Sequence, residues 1–238
     1  MILCIDSGNT RLKWAVAEGG CWRARGAVAR EETPRLAEAL GEFPTFRHIL
    51  VANVAGAQQA IAIEAALRRF AVVPRFLAAS ANAGGVANGY RQPEKLGIDR
   101  WCALIGARHL SAGAALVVGS GTATTIDTLD AQGRFLGGLI LPGFDLMRRA
   151  LADHTAQLPL AEGRWQAHPD NTADAIVSGC LEAQLGAIER AWGRIAEEPG
   201  ACCLLFGGNA LRLAEHLACP FRMEENLVLE GLRRLALA

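Results

Sequence analysis

The chain opens with an apolar run that ends in a polar, glycine-containing turn, and the same arrangement returns near its middle. Ile5-Asp6-Ser7-Gly8-Asn9-Thr10 corresponds in register to Val118-Gly119-Ser120-Gly121-Thr122-Ala123, and each turn is followed by a second apolar stretch. Each opening predicts a buried strand, a tight turn at glycine and an antiparallel partner strand. Because the arrangement occurs twice, we expect two related halves with a boundary near residues 110–114.

We therefore expect an N-terminal half at residues 1–111 and a C-terminal half at 112–238. Short apolar runs alternate with stretches of helical period, which predicts α/β halves, each a mixed sheet with flanking helices. Strands are predicted within residues 1–8, 11–20, 47–56, 72–79, 114–143 and 202–210. Helices are predicted within residues 33–43, 57–70 and 97–110, from about Thr172 onward with Leu181, Leu185, Ile188, Trp192 and Ile195 on one face, and within 225–237.

Composition excludes several classes of protein. The formal net charge is zero, so a nucleic acid is not an expected partner. The N-terminus lacks a basic leader, and no apolar run reaches the ~18–20 residues of a membrane span, so we expect no membrane association. Seven cysteines without a C-x-x-C pair favour reduced thiols in the cytoplasm. The chain has no G-x-S-x-G elbow and no G-x-x-x-x-G-K-[ST] loop, and its five histidines show no metal-binding spacing.

The first polar turn carries the residue types of a phosphate and metal site. Gly8 lets the backbone approach a phosphate closely, and the neighbouring N–H groups can point at anionic oxygens. Asp6 offers an oxygen ligand to Mg²⁺, directly or through water, and Lys13 offers a positive charge to a terminal phosphate. The structural alternative is a hairpin turn capped by an aspartate, with Lys13 as a solvated strand residue.

The second polar turn, in the segment Gly119–Asp127, also suits phosphate binding. Two glycines and several hydroxyl-bearing residues follow a buried strand there. An ordinary threonine-rich strand is the alternative, because threonine favours strands. The equivalence of this segment to the first turn favours the phosphate interpretation.

A third motif, Gly97-Ile98-Asp99-Arg100, opens the helix predicted within residues 97–110. An aspartate in a first helical turn is commonly a cap, which stabilises a helix by roughly 0.3–1 kcal/mol. In this motif an arginine follows directly. The pair therefore also suits a site that holds one carboxylate base and one guanidinium for an anionic substrate.

Taken together, the motifs resemble those of the type III pantothenate kinases. D-x-G-N-T-x-x-K, G-x-D-R, G-T-A-x-T, GGLILPG and NTADAIVSG occur in the order and spacing of that family, and the resemblance spans essentially the whole chain. The family includes proteins described as Bvg accessory factors and belongs to the actin-like ATPase superfamily. The resemblance implies two actin-like (ribonuclease H-like) halves with a nucleotide cleft between them, across which Asp6 and Thr122 face each other.

The resemblance also implies an activity: ATP-dependent phosphorylation of pantothenate to 4'-phosphopantothenate, the first step of coenzyme A biosynthesis, by a cytoplasmic homodimer. The ATP-binding residues implied are Asp6, Ser7, Gly8, Asn9, Thr10, Arg11, Leu12 and Lys13, with Gly121 and Thr122, while Gly207 and Gly208 would lie near the adenosine. The pantothenate-binding residues implied are Tyr90, Gly97, Ile98, Asp99, Arg100 and Thr172, with Asp99 as the catalytic base. Thr172 would contact the substrate bound to the partner subunit.

The implied cofactors are Mg²⁺, held by Asp6, and a monovalent cation, NH₄⁺ or K⁺. Many members of the family carry an aspartate that holds the monovalent cation, and in this chain the position is Gly119. A glycine supplies only backbone carbonyls. We therefore expect monovalent cations to matter less in this chain, or to act through other ligands.

Two alternative functions stay open at this level. One is a different small-molecule kinase or a phosphatase of the actin-like superfamily. A hydrolase would need a carboxylate that positions water in place of an acceptor pocket, and Tyr90 with Arg100 favours a pocket. The other is a non-catalytic regulatory accessory protein, which Gly119 favours and the intact Asp6, Asp99 and Arg100 disfavour.

Overall fold

A computed structural model of the chain describes residues 1–156, 158, 160 and 162–237. The strands are β1 (Ile2–Ser7), β2 (Arg11–Glu18), β3 (Cys21–Ala29), β4 (His48–Asn53), β5 (Arg75–Phe76), β6 (Asn82–Ala83), β7 (Val86–Asn88), β8 (Ala115–Ser120), β9 (Ala123–Leu129), β10 (Arg134–Pro142), β11 (Cys202–Phe206) and β12 (Arg222–Met223). The helices are α1 (Leu36–Ala39), α2 (Ala57–Leu67), α3 (Ile98–Leu110), α4 (Phe144–His154), α5 (Thr172–Trp192), α6 (Ala210–Ala214) and α7 (Leu227–Leu237).

Two compact units make up the structure. The first contains Met1–Leu110, Gly133–Phe135 and the C-terminal segment from Asn226, and the second contains Ser111–Gln132 and Leu136–Glu225. The predicted division assigned residues 133–135 and the C-terminal segment to the second half. They belong to the first unit instead, because the start of β10 pairs with β7 and because α7 packs its apolar face on α3 and β1.

The first unit is built on a five-stranded sheet of order β3-β2-β1-β4-β5. β1 pairs antiparallel with β2 and parallel with β4, which places it in the sheet interior. Its residues Leu3, Cys4 and Ile5 are fully buried, as the unbroken apolar run requires. The predicted opening hairpin is therefore confirmed.

In the second unit, strands follow the order β12-β11-β8-β9-β10. β8 pairs antiparallel with β9 and parallel with β11, so the second predicted hairpin is also confirmed. α5 begins at Thr172, as predicted, and buries Leu181, Leu185 and Ile188 in the core of this unit. The helical spacing of these side chains explains why the periodicity of the sequence located α5 correctly.

One predicted helix differs in the structure. Residues 33–43 were expected to form a single helix, whereas Arg30–Arg35 is a 3₁₀ helix and only Leu36–Ala39 is α-helical. Pro34 has no N–H to donate within a helix, and Glu32 has non-helical backbone angles. Among the described residues, no helix is both long enough and apolar enough to cross a membrane.

The contact between α3 and α7 depends on two glycines. A Cβ atom at Gly231 would overlap the carbonyl oxygen of Cys102, and one at Gly106 would overlap the carbonyl oxygen of Leu227. The two helix backbones therefore approach more closely than any other residue type at these positions would permit. This crossing fixes the C-terminal helix on the first unit.

We expect Gly231→Ala to lower the free energy of unfolding by about 1–3 kcal/mol, because the added methyl group must push the helices apart. The matched control is Gly186→Ala in α5, where a Cβ meets nothing within 4 Å. That change should stabilise the protein by roughly 0.5–1 kcal/mol through helix propensity. Urea unfolding of the two variants measures both effects. The same change in the free energy of unfolding for both variants would refute the packing argument.

Candidate active site

The first glycine turn brings Asp6 and Lys13 together. They are directly opposite each other across the β1–β2 hairpin, and the turn is closed by a hydrogen bond from the Gly8 N–H to the Arg11 carbonyl oxygen at 3.1 Å. Residues opposite each other in an antiparallel pair project on the same side of the sheet. A carboxylate and an ammonium group therefore lie side by side at the start of this turn.

The Asp6 carboxyl group is in an unfavourable place for a negative charge. Burial raises its pKa to about 6, and the nearby Asp99 carboxylate also acts to raise it, while Lys13 and a hydrogen bond from Asn226 oppose the increase. The Asn226 Nδ2 donor lies 3.4 Å from the Asp6 Oδ2 acceptor. Two carboxylates and one ammonium group leave a local excess of negative charge that a bound cation would neutralise.

The other residues of the first turn divide by exposure. Asn9, Thr10 and Arg11 are exposed, whereas the side chains of Ser7 and Leu12 are fully buried. Any contact of Ser7 or Leu12 with ATP would thus be made by their backbone. The Ser7 hydroxyl and the hydroxyl of Ser120, the equivalent residue in the repeat, are both buried without a hydrogen-bond partner among the described residues.

At the start of α3, Gly97 leaves room for the Asp99 carboxylate. A Cβ atom at Gly97 would lie only 2.7 Å from Asp99 Oδ1. The helix begins with a hydrogen bond from the Trp101 N–H to the Gly97 carbonyl oxygen at 2.9 Å, and the neighbouring Ile98 is buried in the core. The Asp99 side chain is partly exposed. A glycine at the helix start thus lets this carboxylate fold back beside the backbone.

Arg100, the next residue of α3, is buried and is held by aromatic groups. Its Nη1 donates a hydrogen bond to the Tyr90 hydroxyl at 2.8 Å. The Arg100 Cζ lies over the rings of Tyr90 and Phe135, 5.6 and 5.8 Å from their centroids. The predicted substrate residues Tyr90, Gly97, Asp99 and Arg100 therefore belong to one cluster in the first unit.

The second glycine turn, in the second unit, is supported by two further glycines. A hydrogen bond from the Gly121 N–H to the Ala123 carbonyl oxygen closes it at 3.0 Å, so this turn is one residue shorter than the turn at Gly8. A Cβ atom at Gly143 would overlap the carbonyl oxygens of Gly121 and Thr122, and one at Gly207 would overlap that of Ser120. The backbones of two loops therefore pack directly against this turn. The Thr122 side chain is exposed.

The predicted residue Thr172 lies elsewhere in the second unit. It is the first residue of α5, is exposed, and lines an apolar groove of about 800 Å³ between α4 and α5. The preceding residue, Asn171, caps the helix by accepting a hydrogen bond from the Asp174 N–H at 2.9 Å. Thr172 is therefore held at a helix N-terminus, in a different unit from the Arg100 cluster.

The donor set around Asp6 fits Mg²⁺ that arrives with a nucleotide. Among the described residues, no group of three or more His, Cys, Asp or Glu side chains could hold a metal ion on its own. Mg²⁺ is usually held by one or two carboxylates together with substrate phosphates and water. Asp6 supplies such a carboxylate in a place where burial disfavours an uncompensated charge.

The chain has an actin-like fold, as comparison with solved structures shows. The structure matches that of a Baf family protein from Campylobacter jejuni with a TM-score of 0.64, at 20% identity, over 98% of this chain and 96% of the other. It also matches the activator of 2-hydroxyisocaproyl-CoA dehydratase from Clostridium difficile, solved with bound ADPNP, with a TM-score of 0.52, at 12% identity, over 99% and 92% of the two chains. At these identities the likeness shows the fold alone.

Sequence comparison defines the family of the chain. The model of the type III pantothenate kinase family matches residues 2–194. The type III pantothenate kinase of Aromatoleum aromaticum is 56% identical over 99% of this chain and 98% of its own length. That of Dechloromonas aromatica is 51% identical over 100% and 99%. The chain belongs to the type III pantothenate kinase family and is a phosphotransferase.

Sequence reasoning missed two residues that contact the predicted site residues of the first unit. Asn226 contacts Asp6, and Phe135 contacts Arg100. Asn226 precedes α7 and accepts a hydrogen bond from the Leu229 N–H at 3.1 Å, which is the signature of a helix cap. That signal predicts a helix start and says nothing of Asp6, which is 220 residues away in sequence. Phe135 has the pattern of an ordinary buried strand residue.

The raised pKa of Asp6 predicts a pH-dependent gain in stability for Asp6→Asn. The carboxyl titrates at about 6 in the folded protein and has an ordinary value of 3.8, so the wild type loses stability as the pH rises between these values. The variant removes this loss. We expect Asp6→Asn to be more stable than wild type by about 3 kcal/mol at about pH 8 and equally stable below about pH 4.

Urea unfolding at several pH values measures this difference in the protein without nucleotide. The control is Asp153→Asn, the same change at an exposed position of α4. A stability gain for Asp6→Asn that did not grow as the pH rises through the interval from 3.8 to about 6 would refute the electrostatic account of Asp6.

Proposed function

We propose that Asp6, Lys13, Asp99 and Arg100 of the first unit form the site at which the γ-phosphoryl group of ATP is transferred to the primary hydroxyl of pantothenate. As a type III pantothenate kinase, the chain forms 4'-phosphopantothenate, the first step of coenzyme A biosynthesis. The observation that carries the assignment of the site is the clustering of Asp6, Lys13 and Asp99, with Arg100 beside Asp99 on α3.

The nucleotide side of the site is the Asp6–Lys13 hairpin. Backbone N–H groups around Gly8 and the Lys13 ammonium group would bind phosphate oxygens, and Asp6 would hold Mg²⁺ directly or through water. When bound, the metal would neutralise charge on the phosphates. We assign Gly121 and Thr122 of the second unit to ATP as well, supported by their place in a glycine turn between two antiparallel strands, as at Gly8.

The acceptor side is the start of α3. Phosphoryl transfer has a loose transition state and depends mainly on positioning and charge stabilisation. Asp99 would accept the proton of the substrate hydroxyl as the oxygen–phosphorus bond forms. Arg100 would bind the carboxylate at the other end of pantothenate, since a guanidinium recognises a carboxylate through paired hydrogen bonds. Consecutive helix residues point in different directions, so Asp99 and Arg100 can serve opposite ends of one substrate.

We expect Asp99→Asn to lower kcat by roughly 10²–10⁴-fold, because the amide cannot accept the proton. The assay is ADP release by the purified protein with ATP, Mg²⁺ and pantothenate. ATP binding and the melting temperature should change little, because the amide has the shape of the carboxylate and the Asp6–Lys13 hairpin is untouched. The control is Glu94→Gln, which removes an exposed carboxylate just before α3 and should leave the rate unchanged.

A helix cap makes the opposite prediction for Asp99, because asparagine caps helices as well as aspartate does. A variant that melts normally, binds ATP and turns over at the wild-type rate would remove Asp99 from the mechanism. Wild-type protein that released no ADP under these conditions would favour the regulatory alternative.

We also propose that this enzyme has no strong requirement for K⁺ or NH₄⁺. Gly119 offers no side-chain ligand, and the space beside it is filled. A Cβ atom there would lie 2.9 Å from Cζ of the Phe206 ring and 3.0 Å from the Thr125 hydroxyl oxygen. An aspartate would need the Phe206 ring to move. The residues at this position therefore do not fit a cation site built on a carboxylate.

At constant ionic strength, replacing tetramethylammonium chloride with KCl or NH₄Cl should change kcat by less than about twofold, since only general charge screening remains. Gly119→Asp combined with Phe206→Leu provides both a carboxylate and the room for it, and should gain a response to K⁺. Strong activation of the wild type by either cation would contradict the proposal.

We propose further that the enzyme is a homodimer and acts in the cytoplasm. β10 and the start of α4 expose large apolar side chains, namely Leu136, Leu139, Ile140 and Leu146. Such exposure favours contact with another protein surface. Family resemblance further suggests that Thr172, on the nearby α5, contacts the substrate of the partner subunit. The seven free cysteines, five of them buried, support a reducing compartment.

Ile140→Glu should convert the dimer to monomers and lower pantothenate turnover, because a carboxylate buried in an apolar interface is costly. Sedimentation velocity measures the mass, and the ADP-release assay described above measures turnover. The matched control is Ile61→Glu in α2, since Ile61 and Ile140 are 63% and 64% exposed. A wild-type protein that is fully active as a monomer would refute the proposal.

A further inference from the structure

We infer that Phe135 is a positioning residue of the acceptor site. It holds the Arg100 guanidinium in place and thereby sets the enzyme's preference for a substrate that ends in a carboxylate. The inference rests on the proposed role of Arg100 in binding that carboxylate. Phe135 itself touches Arg100 and Tyr90, so its effect on the substrate is indirect.

The geometry around Arg100 is that of a cation held by two rings. Its Cζ lies 5.6 Å from the Tyr90 centroid and 5.8 Å from the Phe135 centroid, and the two centroids are 5.4 Å apart. The three points form a nearly equilateral triangle. The rings are tilted by 31° to each other, and both lie within the range of a favourable cation–π contact.

This triangle restricts the guanidinium more than the hydrogen bond to Tyr90 does alone. The Tyr90 hydroxyl fixes one nitrogen, Nη1, at 2.8 Å. The two ring faces add a limit on the rotation of the guanidinium plane. Because Phe135 is fully buried and Arg100 is nearly so, the contact is shielded from water, and cation–π attraction is strongest under such conditions.

Phe135 and Tyr90 are fixed by the same short piece of backbone. Phe135 pairs with Asn88 where the start of β10 meets β7. The Asn88 side chain accepts a hydrogen bond from the Tyr90 N–H at 3.1 Å and donates one to the Pro93 carbonyl oxygen at 3.1 Å. The register of this strand pair therefore sets the distance between the rings, and with it the place of the guanidinium.

A guanidinium fixed in this way selects for substrate charge. A carboxylate meets its paired N–H donors with matching geometry, whereas a neutral alcohol does not. Loss of the Phe135 ring should weaken binding of the acid more than binding of its alcohol analogue, in which CH₂OH replaces the carboxylate. A purely structural role of Phe135 would affect both compounds, and ATP, alike.

The test compares kcat/KM for pantothenate and for its alcohol analogue in wild type and Phe135→Leu. We expect the preference for the acid to fall about tenfold in the variant, with KM for ATP unchanged, from the loss of a shielded cation–π contact. Phe135→Met serves as a second variant if Phe135→Leu does not fold. Phe135→Tyr keeps the ring and should keep the preference.

The matched control is Phe46→Leu, the same change at a buried aromatic of the first unit that packs on Phe70 and not on Arg100. It should lower the melting temperature and leave the acid preference intact. If Phe135→Leu behaves like Phe46→Leu while Arg100→Gln loses the preference, the inference is overturned. If Arg100→Gln keeps the preference, the proposed role of Arg100 is itself wrong.

Discussion

The negative charge buried at Asp6 is the interaction on which the first-unit site depends. Burial and the neighbouring Asp99 disfavour this charge, and Lys13 and Asn226 only partly offset the effect. When such a site is empty, its negative charge is poorly neutralised. The binding of a cation together with its phosphates therefore stabilises the buried carboxylate most. The protein thus gives up some stability at the place where we propose that it binds ATP, a common relation at active sites.

Close backbone packing at glycine is what makes that arrangement possible. Gly231 and Gly106 let α7 lie against α3, which brings the capping residue Asn226 within reach of Asp6. In the second unit, Gly143 and Gly207 press two loops against the other glycine turn. In each unit, glycines permit the close backbone contacts that hold the candidate residues in position.

The periodicity of the sequence predicted the two hairpins and the long helices, because their apolar residues follow the spacing of a buried strand or helix face. It missed β3, an edge strand whose alternating residues are only half-buried, and the breaking effect of Pro34. Motifs predicted Asp6, Asp99 and Arg100. They did not predict Asn226 or Phe135, because these residues join the cluster through tertiary pairing that no local pattern encodes.

The most direct test of the site is a crystal structure of the enzyme with pantothenate and a non-hydrolysable ATP analogue. We expect the primary hydroxyl of pantothenate to lie within about 3 Å of the Asp99 carboxylate, the distance that proton transfer requires. The carboxylate of pantothenate should contact Arg100 in the same complex. Pantothenate bound with its hydroxyl far from Asp99, or with its carboxylate away from Arg100, would contradict the proposed mechanism.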